Sequence, residues 1–320
     1  MFRAILIEQP PHRGPDALMK PFLLACLLAT ALSAPGLADA DADAGKRSDD
    51  RPRIGLALGS GGAGGLAHIA VLQVFDDLDM QPAHISGTSI GAIIGGLYAA
   101  GLDAAEILDL FDDFAGSELD ALTRMATSDL DLRDLLKLDL GHAGLFDAEA
   151  FLRFLGEHTE ARDFSDLRIP LSVVATDYWS GDSVVIHEGE LLPAIKASMA
   201  VPGLFSPVAR GEQLLIDGGT SNPLPWDLLR EDHDIVIAVD VSGTRERMDG
   251  EKPGVTDILF HTFEIMQQSL IRQQMRVHQP DIHLKPDTSG IRLLHFNRID
   301  TILKQAKPAA EELRAHLEQP

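Results

Sequence analysis

Ser89 lies in Gly87-Thr88-Ser89-Ile90-Gly91, a G-x-S-x-G pentapeptide between a short apolar run, His84–Gly87, and a small-residue helical stretch, Ile90–Ala100. A strand, a tight turn and a helix N-terminus together put a serine hydroxyl on a strained corner. The flanking glycines let neighbouring backbone pass, and free helix N–H groups favour negative charge. That is a setting for a nucleophilic serine; a packing turn is the plain alternative. Upstream, Gly59-Ser60-Gly61-Gly62-Ala63-Gly64-Gly65 follows the apolar run Ile54–Leu58 and precedes an apolar-periodic stretch, Leu66–Leu78. Read as G-x-G-x-x-G, the glycines Gly59, Gly61 and Gly64 fit a dinucleotide fingerprint in its strand–helix context. That fingerprint also needs an acidic residue ending the second strand. Here Asp76, Asp77 and Asp79 close the helix before that strand begins, and the strand ends in the serine elbow. The other reading is an oxyanion hole, glycines letting backbone N–H groups converge on a tetrahedral intermediate.

A serine hydroxyl is a weak nucleophile at neutral pH and needs a base. Downstream stand His142, His158, His187, His233, His261, His278, His283 and His295, none in a recognisable catalytic setting, with His295 coming nearest. Asp217 is different. It ends an apolar run, Leu214–Asp217, and enters Gly218-Gly219, a turn where small residues permit close approach. Asp-Gly commonly marks a turn in its own right, so the motif gains weight only beside the other two. Asp129, Asp131, Asp134 and Asp139 with His142 have no metal-ligand spacing and read as a solvated face. No metal and no cofactor is expected.

Positioning these residues takes an alternation of strands and helices. Strands are expected at Ile54–Leu58, from Ala83 into the elbow, at Pro170–Thr176, Ser183–His187, Leu214–Asp217, Ile235–Val241 and Asp281–Leu284. Helices are expected at Leu66–Leu78, Ile90–Ala100, Asp103–Ala115, Ala148–His158 with Asp147 as N-cap, Glu190–Ala200 stopped by Pro202, Thr256–His278 and Arg298–Leu317. Such alternation favours one α/β domain with a largely parallel, helix-covered sheet. Ala115–Leu145 is the least regular piece, a candidate flap. Trp179 and Phe205 are candidates for an acyl pocket, with core or rim the plainer reading. The apolar residues Ile258, Leu259, Phe263, Ile265, Met266 and Leu270 of the long helix point to core packing, with dimer or membrane contact the alternative.

The ordered set of Gly59–Gly65, Gly87–Gly91 and Asp217-Gly218-Gly219 resembles the patatin-like phospholipase family, especially bacterial members related to the neuropathy-target-esterase catalytic domain. Leu66-Ala67-His68-Ile69, Ala175-Thr176-Asp177 and Ala197–Phe205 match further, so the resemblance runs from about Ile54 to Val241 and loosely through Pro286–Leu294. It implies a three-layer α/β/α sandwich. It also implies a Ser89–Asp217 dyad without histidine, and an oxyanion hole on the loop glycines Gly59, Gly61, Gly62 and Gly64, chiefly the Gly61–Gly62 backbone. Gly87, Gly91, Gly218 and Gly219 would support the motifs. The implied activity is calcium-independent hydrolysis of acyl esters of phospholipids, lysophospholipids or neutral lipids, with a lipid ester as partner and transient contact with a membrane surface. Two departures stand out. The family loop usually carries Arg or Lys where this chain has Gly64, which predicts a looser loop. Ser60 replaces a glycine, a milder change, since its side chain can face away. An α/β-hydrolase with a Ser–Asp–His triad and a catalytically weak lipid-binding envelope protein remain the rival readings.

At 320 residues and 45% hydrophobic side chains, the chain can bury a substantial core, and its formal charge of −22 argues against nucleic acid as a partner. Met19-Lys20, the apolar stretch Phe22–Leu32, Pro35-Gly36 and Ala38-Asp39-Ala40 read as a secretory signal, too short for the ~20 residues of a membrane span. Met19 is then the expected start and export to the periplasm or beyond the expected route. The expected organisation is a signal over 1–40, a linker over 41–53, and a catalytic domain over 54–320 with a C-terminal helical extension. The only cysteine, Cys26, falls inside the apolar stretch, so the mature protein is expected to hold no disulfide.

Overall fold

A computed structural model describes residues 52–114, 148–243 and 254–319. The signal segment with Cys26, most of the linker, the candidate flap Ala115–Leu145, Asp147 and the acidic group around His142 lie outside the described residues. Among the described residues, eight strands form one sheet: β1 (Ile54–Leu58), β2 (His84–Thr88), β3 (Leu171–Asp177), β4 (Ser183–Ile186), β5 (Val208–Arg210), β6 (Gln213–Asp217), β7 (Ile235–Val239) and β8 (Ile282–Leu284). The helices are α1 (Ala67–Asp77), α2 (Ile90–Ala100), α3 (Ala104–Phe114), α4 (Ala148–Glu157), α5 (Leu191–Ser198), α6 (Val255–Val277) and α7 (Ile299–Leu317). The hydrogen-bonded path is β5-β6-β3-β2-β1-β7-β8, with β4 pairing β3 off that path. From β3 to β8 along that path the pairs are parallel; β4, β5 and β6 pair antiparallel.

Alternation along the central strands explains three layers. In β1, Ile54, Leu56 and Leu58 join the main core with α1, α2, α3 and α7, whereas Ala57 packs with Trp226, Leu229 and Ile271 of α6 on the other face. In β7, Ile237 and Val239 go to the first face and Val236 and Ala238 to the second. Side chains of period two therefore feed two cores, one on each face of the sheet. The result is an α/β/α sandwich on a mixed, mostly parallel sheet.

β5 is a strand where none was expected, and α1 and α6 differ from expectation. A 3-10 turn, Gly62–Leu66, precedes α1, so the α-helix starts at Ala67. And α6 buries only part of the apolar set that suggested core packing: Phe263 and Leu270 are half-buried, Phe263 against the core, whereas Ile258, Leu259, Ile265 and Met266 are exposed. The stripe it turns inward carries the buried Gln267 and Ile271, with Phe260, Phe263 and Met275 half-buried against the cores. Trp179, 74% exposed beside Tyr178 between β3 and β4, is not part of the core. Among the described residues, no helix is long and apolar enough to cross a membrane.

Candidate active site

Strand register brings the serine and the aspartate together. β2 and β4 both pair with Val173 and Val174, so they occupy opposite edges of β3. β4 and β6 both pair with Ala175 and Thr176, so β6 shares the edge used by β2. Thr88 sits opposite Val174 and Asp217 opposite Ala175, two strand ends meeting head to head on one edge. Ser89, next after Thr88, is thereby delivered to Asp217 across a long stretch of sequence.

Ser89 takes the corner with φ 56° and ψ −120°, a conformation few non-glycine residues adopt, at a strain of about 1–3 kcal/mol. Four hydrogen bonds hold it there. Its N–H donates to Ser198 Oγ at 2.8 Å, that hydroxyl donates to the Val174 carbonyl at 2.6 Å, and the Ser89 carbonyl accepts from Ala92 and Ile93 in the first turn of α2. The corner also needs glycines. A Cβ at Gly87 would lie 2.6 Å from the Gly91 carbonyl oxygen, and one at Gly91 would lie 2.1 Å from that of Leu58.

Asp217 is 0% exposed. One carboxyl oxygen, Oδ1, accepts the Gly219 N–H at 2.7 Å; the other, Oδ2, is buried with no full hydrogen-bond partner among the described residues. Burial raises the carboxyl to about 7, against the lowering effect of the Ser89 side chain and the Gly219 N–H. Ser89 therefore stands close enough to stabilise the charged form, though its hydroxyl falls short of hydrogen-bond geometry at Oδ2. A carboxyl poised near neutrality beside a serine can take and return a proton. Gly218 makes room for this: a Cβ there would lie 2.2 Å from the Val174 carbonyl oxygen and 3.0 Å from the Thr88 methyl.

The glycine loop runs past the same point. Its outer N–H groups are engaged: Gly59 to the Val239 carbonyl at 3.1 Å, Ser60 to Pro223 at 2.8 Å and Ala63 to Leu293 at 2.8 Å. The N–H groups of Gly61 and Gly62, at the open start of the 3-10 turn, have no such partner among the described residues. Gly62 has φ +55°, which turns the chain where a side chain would also strike Leu293. Gly59 and Gly64 are the other two expected oxyanion donors. Gly59 has its N–H occupied, and Gly64 is buried inside the turn against Val241 and Thr288.

The family model for patatin-like phospholipase matches residues 56–230, from β1 through the Asp-Gly-Gly turn. The chain belongs to the patatin-like phospholipase family. It is 37% identical to an uncharacterised NTE family protein of Mycobacterium tuberculosis over 199 residues, 62% of this chain and 51% of that protein. It is 32% identical over 196 residues to patatin-like phospholipase domain-containing protein 6 of Mus musculus, covering 60% of this chain and 14% of the mouse protein. The chain spans about half the length of the mycobacterial relatives it matches. Among solved structures, VipD from Legionella pneumophila aligns with a TM-score of 0.47 and 16% identity, over 84% of this chain and 67% of that one.

Within this patatin-like frame, the loop, with Gly64 where a cation was expected, is pinned. His68 is buried, and its Nε2–H donates to the Gly59 carbonyl at 2.9 Å. Burial lowers its pKa to about 4, against the Gly59 contact and Asp240, so the ring is neutral at pH 7. Behind the loop, burial would raise the Asp240 carboxyl, but His283 and the Lys285 ammonium 2.6 Å away hold it at about 2. This pair anchors the segment whose Val241 carbonyl packs on Gly61 and Gly64. A Cβ at Gly64 would stand 3.2 Å from that carbonyl and 3.3 Å from the Thr288 methyl, so a larger residue must push one of them. Gly64→Arg is expected to lower the melting temperature by a few degrees and leave kcat unchanged or lower. A gain in both would mean that the loop does lack a clamp.

The histidine expected to come nearest to a catalytic role, His295, has its Nδ1 taken by the Arg292 N–H at 3.1 Å, and burial with Arg292 and Arg298 lowers its pKa. Sequence reasoning missed Ser198 and the anchoring role of His68. Both lie within matched stretches, and each is a polar residue at a position that an apolar run would otherwise bury, which is the signal that marks them.

Proposed function

We propose that this chain is a serine hydrolase of lipid acyl esters, with phospholipids or lysophospholipids as substrates. Ser89 Oγ attacks the ester carbonyl as its proton passes to Asp217 Oδ2. The Gly61 and Gly62 N–H groups receive the developing oxyanion. Collapse expels the alcohol or lysophospholipid, which takes the proton from Asp217 and leaves an acyl-Ser89 ester. Water, deprotonated by Asp217, then releases the fatty acid and restores the serine. The observation that carries this reading is a strained serine beside a buried carboxyl whose Oδ2 has no full hydrogen-bond partner among the described residues.

Because the aspartate supplies the base, the reading requires no calcium. It also includes transient contact with a membrane surface, where such substrates reside.

The test is fluorophosphonate labelling of the purified protein beside Ser89→Ala and Asp217→Asn, followed by fatty-acid release from phospholipid and lysophospholipid micelles with and without EGTA. Labelling of Ser89 in the parent, its loss in both variants and release unaffected by EGTA is the expected result. A folded parent that binds micelles without labelling or release would instead make this a lipid-binding protein.

A further inference from the structure

Ser60 does not face away from the site. It is buried, and its Oγ accepts a 2.9 Å hydrogen bond from Nε2 of Gln267, which lies 207 residues away on α6 and is only 2% exposed. The same amide is wedged against the base turn. A Cβ built on Gly219 would stand 2.1 Å from Gln267 Nε2, 2.9 Å from Ser60 Oγ and 2.8 Å from Asp217 Oδ1. Three polar atoms, one from each of three separate segments, thus converge on the face of Gly219, whose own N–H holds Asp217. A buried amide is costly without partners, yet α6 turns this one inward while leaving Ile265 and Met266 in solvent.

We infer that Gln267 is a positioning residue that sets both halves of the site at once: the oxyanion loop through Ser60, and the base through Gly219. The assignment rests on the hydrolase reading above. The Ser60 link replaces the clamp that a loop cation would provide, and it ties the loop to the helix whose exposed side is apolar. Loss of the amide lets the Gly61 and Gly62 N–H groups drift from the oxyanion and loosens the Gly219 bond that favours ionised Asp217. The first effect lowers kcat with little change in KM, since those N–H groups act where charge develops. The second raises the pH at which the base ionises.

The experiment is a double-mutant cycle in the full-length protein with Ser60→Ala, Gln267→Met and both together, using a soluble p-nitrophenyl ester. Each single variant should lose about tenfold in kcat, as small misplacements near reacting groups do, with KM within about twofold. The double variant should be no slower than the slower single, because both remove one link. Gln267→Met should also move the acid inflection of kcat/KM to higher pH, and Ser60→Ala should leave it in place. Losses that multiply, or lower melting temperatures with kcat and the inflection unchanged, would overturn the inference. Should Gln267→Met fail to fold, Ser60→Gly removes the same link without touching α6 and must reproduce the kcat loss. An inactive, unlabelled parent would instead sink the hydrolase reading itself. An active parent with unaffected variants would sink the positioning role alone.

Discussion

Asp217→Asn is expected to lower ester hydrolysis by about 10²- to 10⁴-fold, the range a positioned general base supplies, and at pH 8 to melt above the parent. Both effects come from the same burial. In the folded chain the Asp217 carboxyl is raised to about 7; in the unfolded chain it returns to about 4. Between those values the folded state keeps a proton that the unfolded state has released. Stability contributed by this group is therefore complete below pH 4, falls as pH rises through 7, and stays low above it. The upper bound of the loss, about three pKa units at 1.36 kcal/mol each, is on the order of 4 kcal/mol. An asparagine keeps an oxygen for the Gly219 N–H and never ionises, but its amide must sit where Oδ2 has no partner, which costs about 1–3 kcal/mol. The net gain at pH 8 is thus a few kcal/mol at most, about 2–4 °C in melting temperature for each kcal/mol in a domain of this size. At pH 5 the gain disappears. In the parent, kcat/KM should rise with unit slope up to a plateau near pH 7. Melting curves of both proteins from pH 5 to 8, beside the pH–rate profile, check the linkage. A melting difference that does not change with pH would show that Asp217 ionises freely in the folded state, and the base assignment would lose its physical ground.

The site was legible in the sequence to the extent that its chemistry is local. Ser89 and the elbow glycines are contiguous, the glycine loop joins one strand to one helix, and Asp217 ends a strand where a tight turn must follow. Ile54–Leu58 and Ile90–Ala100 form where apolar runs and small-residue periodicity placed them. The three-residue β5 carries too little pattern to announce a strand, and its existence depends on pairing with β6. The head-to-head meeting of β2 and β6 on one edge of β3 is a matter of register, which no local signal sets. Gln267 was hidden for a related reason. An apolar count over α6 selects Ile258, Leu259, Ile265 and Met266, which face solvent, along with the half-buried Phe263 and Leu270, and passes over the glutamine that faces the site. Which side of a helix is buried depends on what it packs against, and a polar side chain is buried only where a distant residue satisfies it.

Gly91→Ala should cost about 3 kcal/mol or more and abolish labelling of Ser89, whereas Gly95→Ala, one turn later in α2, should be neutral or stabilising by up to ~1 kcal/mol. Helix propensity favours alanine equally at both positions, so the difference isolates what each glycine faces. At Gly95 an added methyl meets the Ile85 Cγ2 methyl at 3.0 Å and the Leu58 Cδ1 methyl at 3.2 Å, side-chain methyls that need give only a few tenths of an ångström. At Gly91 it meets the Leu58 carbonyl oxygen at 2.1 Å, the Leu58 carbonyl carbon at 2.6 Å and the Gly59 carbonyl oxygen at 2.9 Å. Backbone cannot yield there without moving the end of β1 and the start of the glycine loop. The Gly59 carbonyl also accepts from His68, so a displaced loop breaks a buried hydrogen bond as well. Moving α2 instead pulls Ser89 off its bond to Ser198 and away from Asp217. Either adjustment separates the serine from one of its two partners, the loop or the base. Chemical denaturation and phosphonate labelling of both variants test this. Equal stability and equal labelling of Gly91→Ala and the parent would mean that the elbow and the glycine loop do not need this close approach, and that the serine's geometry is set elsewhere.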